Sequence, residues 1–281
     1  MISNFDHGLD TKASKALYRR EDTKRQSERL LSNDRDYFRA GASIENIGAC
    51  RIVRMKSCPG LSAACVVECD TTDPDNLRSV WQRLAELKVN EFRTYLPGQR
   101  QDGILESYGC EPSVEAAYYA EVDENARRQI PDRIKIRPIS RTDDAIKTAL
   151  LNQDSARPDG KDSPANVYVE LERRKIEAGY MKGFLIEVEN EPAGFFSLST
   201  QGDLVRMKNL FSAPRIRGAG CGAAIVAFAH QYASMTGRRH IGVFAIQGGA
   251  GERLYTRNGL KVVGAQTEYS ASVASLIGAQ K

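Results

Sequence analysis

Ala213-Pro214-Arg215-Ile216-Arg217-Gly218-Ala219-Gly220-Cys221-Gly222-Ala223 lies between an apolar, strand-like run ending Leu210-Phe211-Ser212 and a helix-like run beginning Ala224-Ile225-Val226. Strand, glycine turn and helix together make a cradle for an anion. Glycines allow positive φ and close backbone approach, and the first free N–H groups of the helix point at the ligand with the positive end of the helix dipole behind them.

Upstream of this turn, three apolar runs (Gly183 to Glu189, Pro192 to Ser199 and Leu204 to Ser212) are separated by short polar turns at Asn190-Glu191 and Gly202-Asp203, which predicts an antiparallel meander. A strand at Ile134 to Pro138 and helices near Asp143 to Asn152 and Pro164 to Ala178 precede it. Downstream, the pattern predicts a helix over Ala224 to Thr236, a strand over His240 to Ile246, a short helix over Ala250 to Arg257 and a final strand pair around Lys261-Val262-Val263 and Ser272 to Leu276. The expected fold class is α/β, an α+β mixed sheet.

The first half reads strand (Arg51 to Met55), strand (Ala64 to Glu68), helix (Asp75 to Lys88, opened by Asp73-Pro74), strand (Glu91 to Leu96), short helix (Ile104 to Gly109) and strand (Ala116 to Glu121). Its Leu105-Glu106-Ser107-Tyr108-Gly109-Cys110-Glu111-Pro112 echoes Leu254-Tyr255-Thr256-Arg257-Asn258-Gly259-Leu260, as a diverged tandem repeat does. Residues 122–134 are polar and carry Pro131, as a domain boundary does. The division expected is a charged N-terminal arm (1–45), a first domain (46–122) and a second (134–281). The arm reads as a solvated helix; Leu17, Leu30, Leu31, Tyr37 and Phe38 are too irregularly spaced to define a docking face.

The chain has 281 residues, 41% hydrophobic, and a formal net charge of +4 from forty basic and thirty-six acidic residues mixed along its length. That is enough for real cores and argues against nucleic acid as a partner. No apolar run reaches bilayer length, so no membrane partner is expected. The six cysteines form no metal-type CxxC pair, and Cys65 and Cys69 read as buried thiols rather than a disulfide or a metal site, which points to a reducing cytoplasm.

Three ligands compete for the cradle. Gly218, Gly220 and Ala223 fit the dinucleotide pattern GxGxxG/A, but the turn follows an antiparallel meander and the next strand ends Phe244-Ala245-Ile246-Gln247 without the acid that holds a ribose. A triphosphate site needs Gly-Lys-Ser/Thr, which is missing from this turn. The third reading rests on Arg217-Gly218-Ala219-Gly220-Cys221-Gly222, which resembles the Gln/Arg-x-x-Gly-x-Gly/Ala turn of the GNAT acyltransferase superfamily. Leu210-Phe211-Ser212-Ala213-Pro214 is similar to that family's apolar strand ending before a proline. Leu254-Tyr255-Thr256-Arg257-Asn258-Gly259-Leu260 resembles its Leu-Tyr-x-x-x-Gly-Phe segment, with Leu260 for Phe. The resemblance covers roughly residues 134–270.

The resemblance implies two GNAT-like mixed-sheet domains in tandem and acyl transfer from acetyl-CoA to an amine, with no metal. The first domain resembles the same fold, but its turn Cys69-Asp70-Thr71-Thr72-Asp73-Pro74-Asp75 sets carboxylates where a pyrophosphate would lie, which marks a degenerate copy in a mycothiol synthase-like organisation. It also implies roles: backbone N–H groups of Arg217, Gly218, Ala219, Gly220, Cys221, Gly222 and Ala223 for the pyrophosphate, Leu210, Phe211 and Ser212 for the pantetheine and thioester, and Tyr255 as donor to the departing thiolate.

An amine of pKa about 10.4 must lose a proton before it attacks, at a cost of roughly 4.6 kcal/mol at neutral pH. The strand before the cradle, Val205-Arg206-Met207-Lys208-Asn209, offers no carboxylate as base; Glu187 and Glu189, His230, His240 and a chain of waters are the alternatives. The family's pantetheine-binding Asn is absent before Leu254, where Gln247 is the nearest substitute. The loop Asp154 to Ser163, with Asp154, Asp159 and Asp162, and the helix Val167 to Tyr180 are expected to wall the acceptor site. The expected acceptor is a small-molecule amine. A protein or peptide amine is the enzymatic alternative, and an acyl-CoA-binding regulatory module the non-enzymatic one.

Overall fold

The computed structural model describes residues 11–69, 73–99, 101–122, 129–154 and 165–278. Asp70 to Thr72, the core of the proposed boundary (123–128), Asp159, Asp162 and the side chain of Leu17 fall outside the described residues.

The first half runs α1 (Thr11–Arg39), β1 (Ser43–Ile47), β2 (Cys50–Arg54), β3 (Cys65–Cys69), α2 (Pro74–Glu86), β4 (Glu91–Pro97), α3 (Gly103–Ser107) and β5 (Glu111–Glu121). The second runs β6 (Ile134–Pro138), α4 (Asp144–Asn152), α5 (Ala165–Glu177), β7 (Met181–Val188), β8 (Glu191–Gln201), β9 (Leu204–Ser212), α6 (Cys221–Met235), β10 (His240–Ile246), α7 (Ala250–Arg257), β11 (Lys261–Ser272) and α8 (Val273–Gly278). From β2 onward, most element positions agree with the sequence pattern to within a few residues. None of the described helices is long and apolar enough to cross a membrane.

All eleven strands form one mixed sheet in the order β1-β2-β3-β4-β11-β5-β10-β9-β8-β7-β6. The only parallel pairs among the described residues are β3 with β4 and β9 with β10, one in each half. Each is followed by an exchange: β5 of the first half pairs antiparallel with β10 of the second, β11 of the second with β4 of the first, and β5 and β11 pair with each other at the centre. The halves are therefore tandem copies whose last strands are traded.

Helices α1, α4 and α5 cover one face, burying Leu30, Phe38, Leu151 and Val169, while α2, α6, α7 and α8 cover the other, burying Trp81, Ile225, Tyr255 and Leu276. Alternation assigns the faces: Phe195 of β8 packs under α4 and α5, whereas Phe184 and Phe196 pack on Phe228 of α6.

Three expectations are corrected. The N-terminal segment is helical but not a solvated arm, because Leu30, Asn33, Asp34, Tyr37 and Phe38 are all buried against the sheet. Cys69 is disulfide-bonded to Cys50, not a free thiol. The two are direct partners across the antiparallel β2–β3 ladder, a register that reading β3 by itself does not reveal, while Cys65 stays a buried thiol. The predicted final strand pair is one strand, and Val273 to Gly278 turns helical because Val273 and Leu276, one helical turn apart, both bury against α2.

Candidate active site

The cradle sits where β9 hands over to α6. Gly218 and Gly220 take φ of 87° and 93°, conformations that favour glycine, and a Cβ built on either meets nothing within 4 Å, so the space above both is open. Helix α6 begins at Cys221, earlier than predicted, and its first helical bond is Ala224 N–H to the Gly220 carbonyl. The N–H groups of Cys221, Gly222 and Ala223 precede that bond and are left to face outward. Ala219 does not line the groove; its carbonyl accepts from Arg133 at 3.0 Å and its N–H donates to Ile216, which tie the turn down. Arg217 is half-exposed at the rim, paired with Asp154.

From this turn a groove of about 910 Å³ runs between α6 and α7, lined by Leu210, Phe211, Ser212, Arg217, Gly220 and Tyr255 among others. At its inner end the sheet itself opens. Pairing of β9 with β10 stops at Arg206–Gly242, although β9 continues to Ser212 and β10 to Ile246. Asn209 sits at φ 55° where the β8–β9 register slips, with Phe195 opposite Phe211 and Ser197 opposite Lys208; this bulge bends β9 away from β10. The β10-facing backbone from Met207 to Phe211 is thereby freed from strand pairing.

Tyr255 stands at the opening. It is 5% exposed, its ring centroid lies 5.4 Å from that of Tyr118, and burial pushes its phenol well above the ordinary tyrosine range, so it is a proton donor at neutral pH. Beyond the opening lies a chamber of about 360 Å³, and Asp154, Leu210, Phe211 and Tyr255 line both spaces. Tyr168 and Leu171 of α5, the helix expected to wall an acceptor site, line this chamber together with residues of α1 and of strands of the first half.

Sequence reasoning missed the charged lining of this chamber. Asp34 of α1 accepts from Arg206 and Lys208 of β9 at 2.7 Å each and from Gln266 of β11 at 2.8 Å. Burial opposes ionisation of Asp34, but the two cations outweigh it and hold the carboxyl well below the usual range. Lys208 also lies 4.1 Å from the Tyr37 ring centroid, and Arg206 5.0 Å from that of Phe244. Glu268 accepts from Tyr95 at 2.6 Å and Arg93 at 3.2 Å. Glu115, across the β5–β11 pair, accepts from Gln266 at 2.7 Å. The signal available was the pair of cations alternating on one face of an otherwise apolar central strand, which calls for a buried counter-charge.

The other candidates lie elsewhere. Glu187 is bound to Arg137 at 2.9 Å on β7, two strands from the opening, and Glu189 is in the following turn. His230 is buried inside α6 and lines neither space, and His240 stacks near Tyr119 with its Nε2 3.5 Å from Asp203. Gln247 is exposed and accepts from Gln99 at 3.0 Å instead of reaching the groove. In the first half, Asp73 accepts from the Asn76 N–H at 3.1 Å, so the start of α2 is capped by the protein's own carboxylate.

No family model and no curated protein matches the sequence. Solved structures do. A functionally unknown conserved protein from Staphylococcus epidermidis matches with a TM-score of 0.62 and 14% identity, over 82% of this chain and 94% of its own. A GCN5-related N-acetyltransferase from Kribbella flavida matches at 0.61 and 13% identity, over 86% and 94%. A tandem GNAT protein from the clavulanic acid biosynthesis pathway matches at 0.52 and 11%, over 81% and 79%. The fold is like that of these solved structures, among them a GCN5-related N-acetyltransferase and a tandem GNAT protein.

Proposed function

We propose that the protein is an N-acyltransferase that uses acetyl-CoA as cosubstrate and acetylates a primary amine of a small molecule. The observation that carries this reading is continuity: a glycine cradle with free N–H groups at one end, a groove, an opening between two strands, and a chamber behind it with Tyr255 at the junction. A long cosubstrate with a charged pyrophosphate and a reactive far end fits that shape. In this reading the N–H groups at Gly218, Gly220, Cys221, Gly222 and Ala223 hold the pyrophosphate, assisted by Arg217. Backbone from Leu210 to Ser212 aligns the pantetheine and polarises the thioester carbonyl, and Tyr255 protonates the departing sulfur.

The first half is the degenerate copy. Its α2 N-terminus is occupied by Asp73, and its contribution is to wall the acceptor chamber and complete the sheet. A chamber of about 360 Å³, walled in part by α1 and α5, favours a small acceptor over a side chain of a folded protein.

The test is calorimetric titration with acetyl-CoA, followed by free-thiol release with amines present. Binding competed by CoA, with amine-dependent thiol release, is expected. Absence of acetyl-CoA binding refutes the reading, and binding without turnover leaves the regulatory-module alternative.

A further inference from the structure

The carboxylates of the chamber differ in what they hold. Asp34 is held by Arg206 and Lys208, Glu268 by Arg93 and Tyr95, and Asp154 by Arg217. Glu115 receives a hydrogen bond from the neutral amide of Gln266 at 2.7 Å and has no ion pair among the described residues. Its position is telling as well. It sits on β5, the strand lent by the first half, directly opposite Ile246 of β10, the strand whose parting from β9 opens the sheet. It lines the same chamber as Tyr255.

A partly buried carboxylate whose partner is neutral is a site short of one cation. We propose that Glu115 receives the ammonium group of the acceptor and acts as the general base, a role resting on the acyltransferase reading above. The Glu115 carboxylate takes one proton from the ammonium, and the freed nitrogen lone pair forms the C–N bond at the thioester carbon. The C–S bond then breaks with its electron pair leaving on sulfur, which takes the Tyr255 proton. The second nitrogen proton restores the Tyr255 hydroxyl, the third stays on the amide, and Glu115 returns its proton to solvent.

The surroundings suit this role. Burial foremost, then the charge of Asp34, raises the proton affinity of Glu115 above that of an ordinary glutamate, which brings it nearer the range where a base works at neutral pH. The charged groups that line the chamber with it are Asp34 from α1, Asp154 just after α4, Arg206 and Lys208 from β9, Glu268 from β11 and Arg93 from β4. Each already has a charged partner, so a bound ammonium finds Glu115 without displacing an existing pair.

The test compares wild type with Glu115→Gln, which preserves the Gln266 contact, and Glu115→Asp, which keeps the charge. Acetyl-CoA affinity is measured first, then thiol release with spermidine, tryptamine, glucosamine and lysine across pH 6 to 9. We expect unchanged acetyl-CoA affinity in both variants and a kcat/KM in Glu115→Gln lower by about 10² to 10⁴-fold. Its pH profile should follow only the free-amine fraction of the acceptor, whereas Glu115→Asp restores part of the rate and the shallower wild-type profile. A Glu115→Gln protein with wild-type rates, or with a lowered rate on an unchanged profile, overturns the proposal. So does a wild type that binds acetyl-CoA yet acetylates none of these amines. A wild type that does not bind acetyl-CoA fails the parent reading instead.

Discussion

Asp34 of α1 and Arg206 of β9, both almost fully buried, meet at 2.7 Å under the N-terminal helix, and Lys208 shares the same carboxylate oxygen. This pair converts a charged N-terminal segment into part of the core. Removing the anion strands two buried cations, so Asp34→Asn is expected to destabilise the protein by about 3–5 kcal/mol in urea unfolding. By contrast, loss of the surface pair between Arg29 and Asp203 is expected to cost about 1 kcal/mol or less. Equal effects of the two would show that Asp34 does not dock the helix.

Replacing Tyr255 by Phe removes the phenol while keeping the ring that packs on Tyr118. Turnover should fall at least tenfold with acetyl-CoA affinity little changed. Equal rates in thiol-release kinetics would reduce Tyr255 to a packing residue.

At Gly220 the constraint is the backbone, because the space around it is open. Gly220→Ala forces an L-residue into the left-handed region at about 1–2 kcal/mol and tilts the N–H groups that follow. The expected result is acetyl-CoA binding weakened by about tenfold in calorimetry, with Tyr255 chemistry intact at saturating cosubstrate.

Lys175 of α5 is buried, donates to the carbonyls of Phe38 and Ala40 at 2.7 and 2.9 Å at the end of α1, and has its pKa lowered to about 7 by burial first and by Lys208 second. In the unfolded chain the same group titrates near 10.4. Between those values the unfolded state binds more protons, so stability should rise with pH from about 7 to 10. Urea midpoints measured at pH 7, 8 and 9 check this, and the rise should be smaller in Lys175→Met.

Traded strands make the halves interdependent. Residues 129–281 expressed alone would leave β10 without β5 and β11 without either neighbour. The fragment should fail to give a cooperative folded monomer by circular dichroism and size-exclusion chromatography, whereas co-expression with residues 1–128 should restore one.

Much of the second half was legible because its signals are local. The apolar run of Phe184 to Val188 between polar turns and the glycine run at 218–222 specify their elements without reference to distant residues. The docking of α1 was hidden because Asn33 and Asp34 interrupt the apolar stripe formed by Leu30, Tyr37 and Phe38, and polar residues count as core only once Ser199 and Arg206 are seen opposite them. Glu115 was hidden for the same reason. Its place beside the opening depends on a pairing of β5 with β10 that no stretch of sequence encodes by itself. The cradle residues other than Ala219 came together in one groove, whereas Gln247, placed by proximity in sequence, turned to Gln99.

The strand trade also sets a timetable for synthesis. Because β11 is wedged between β4 and β5, the first half cannot close its sheet while it is emerging; it must wait for residues 261–272. Until then β4 and β5 present bare edges to the cell. Such long-range closure slows folding and lengthens the interval in which chaperones matter. Its counterpart in the finished molecule is a chamber whose walls, drawn from both halves of one sheet, cannot swing apart as two domains on a hinge would.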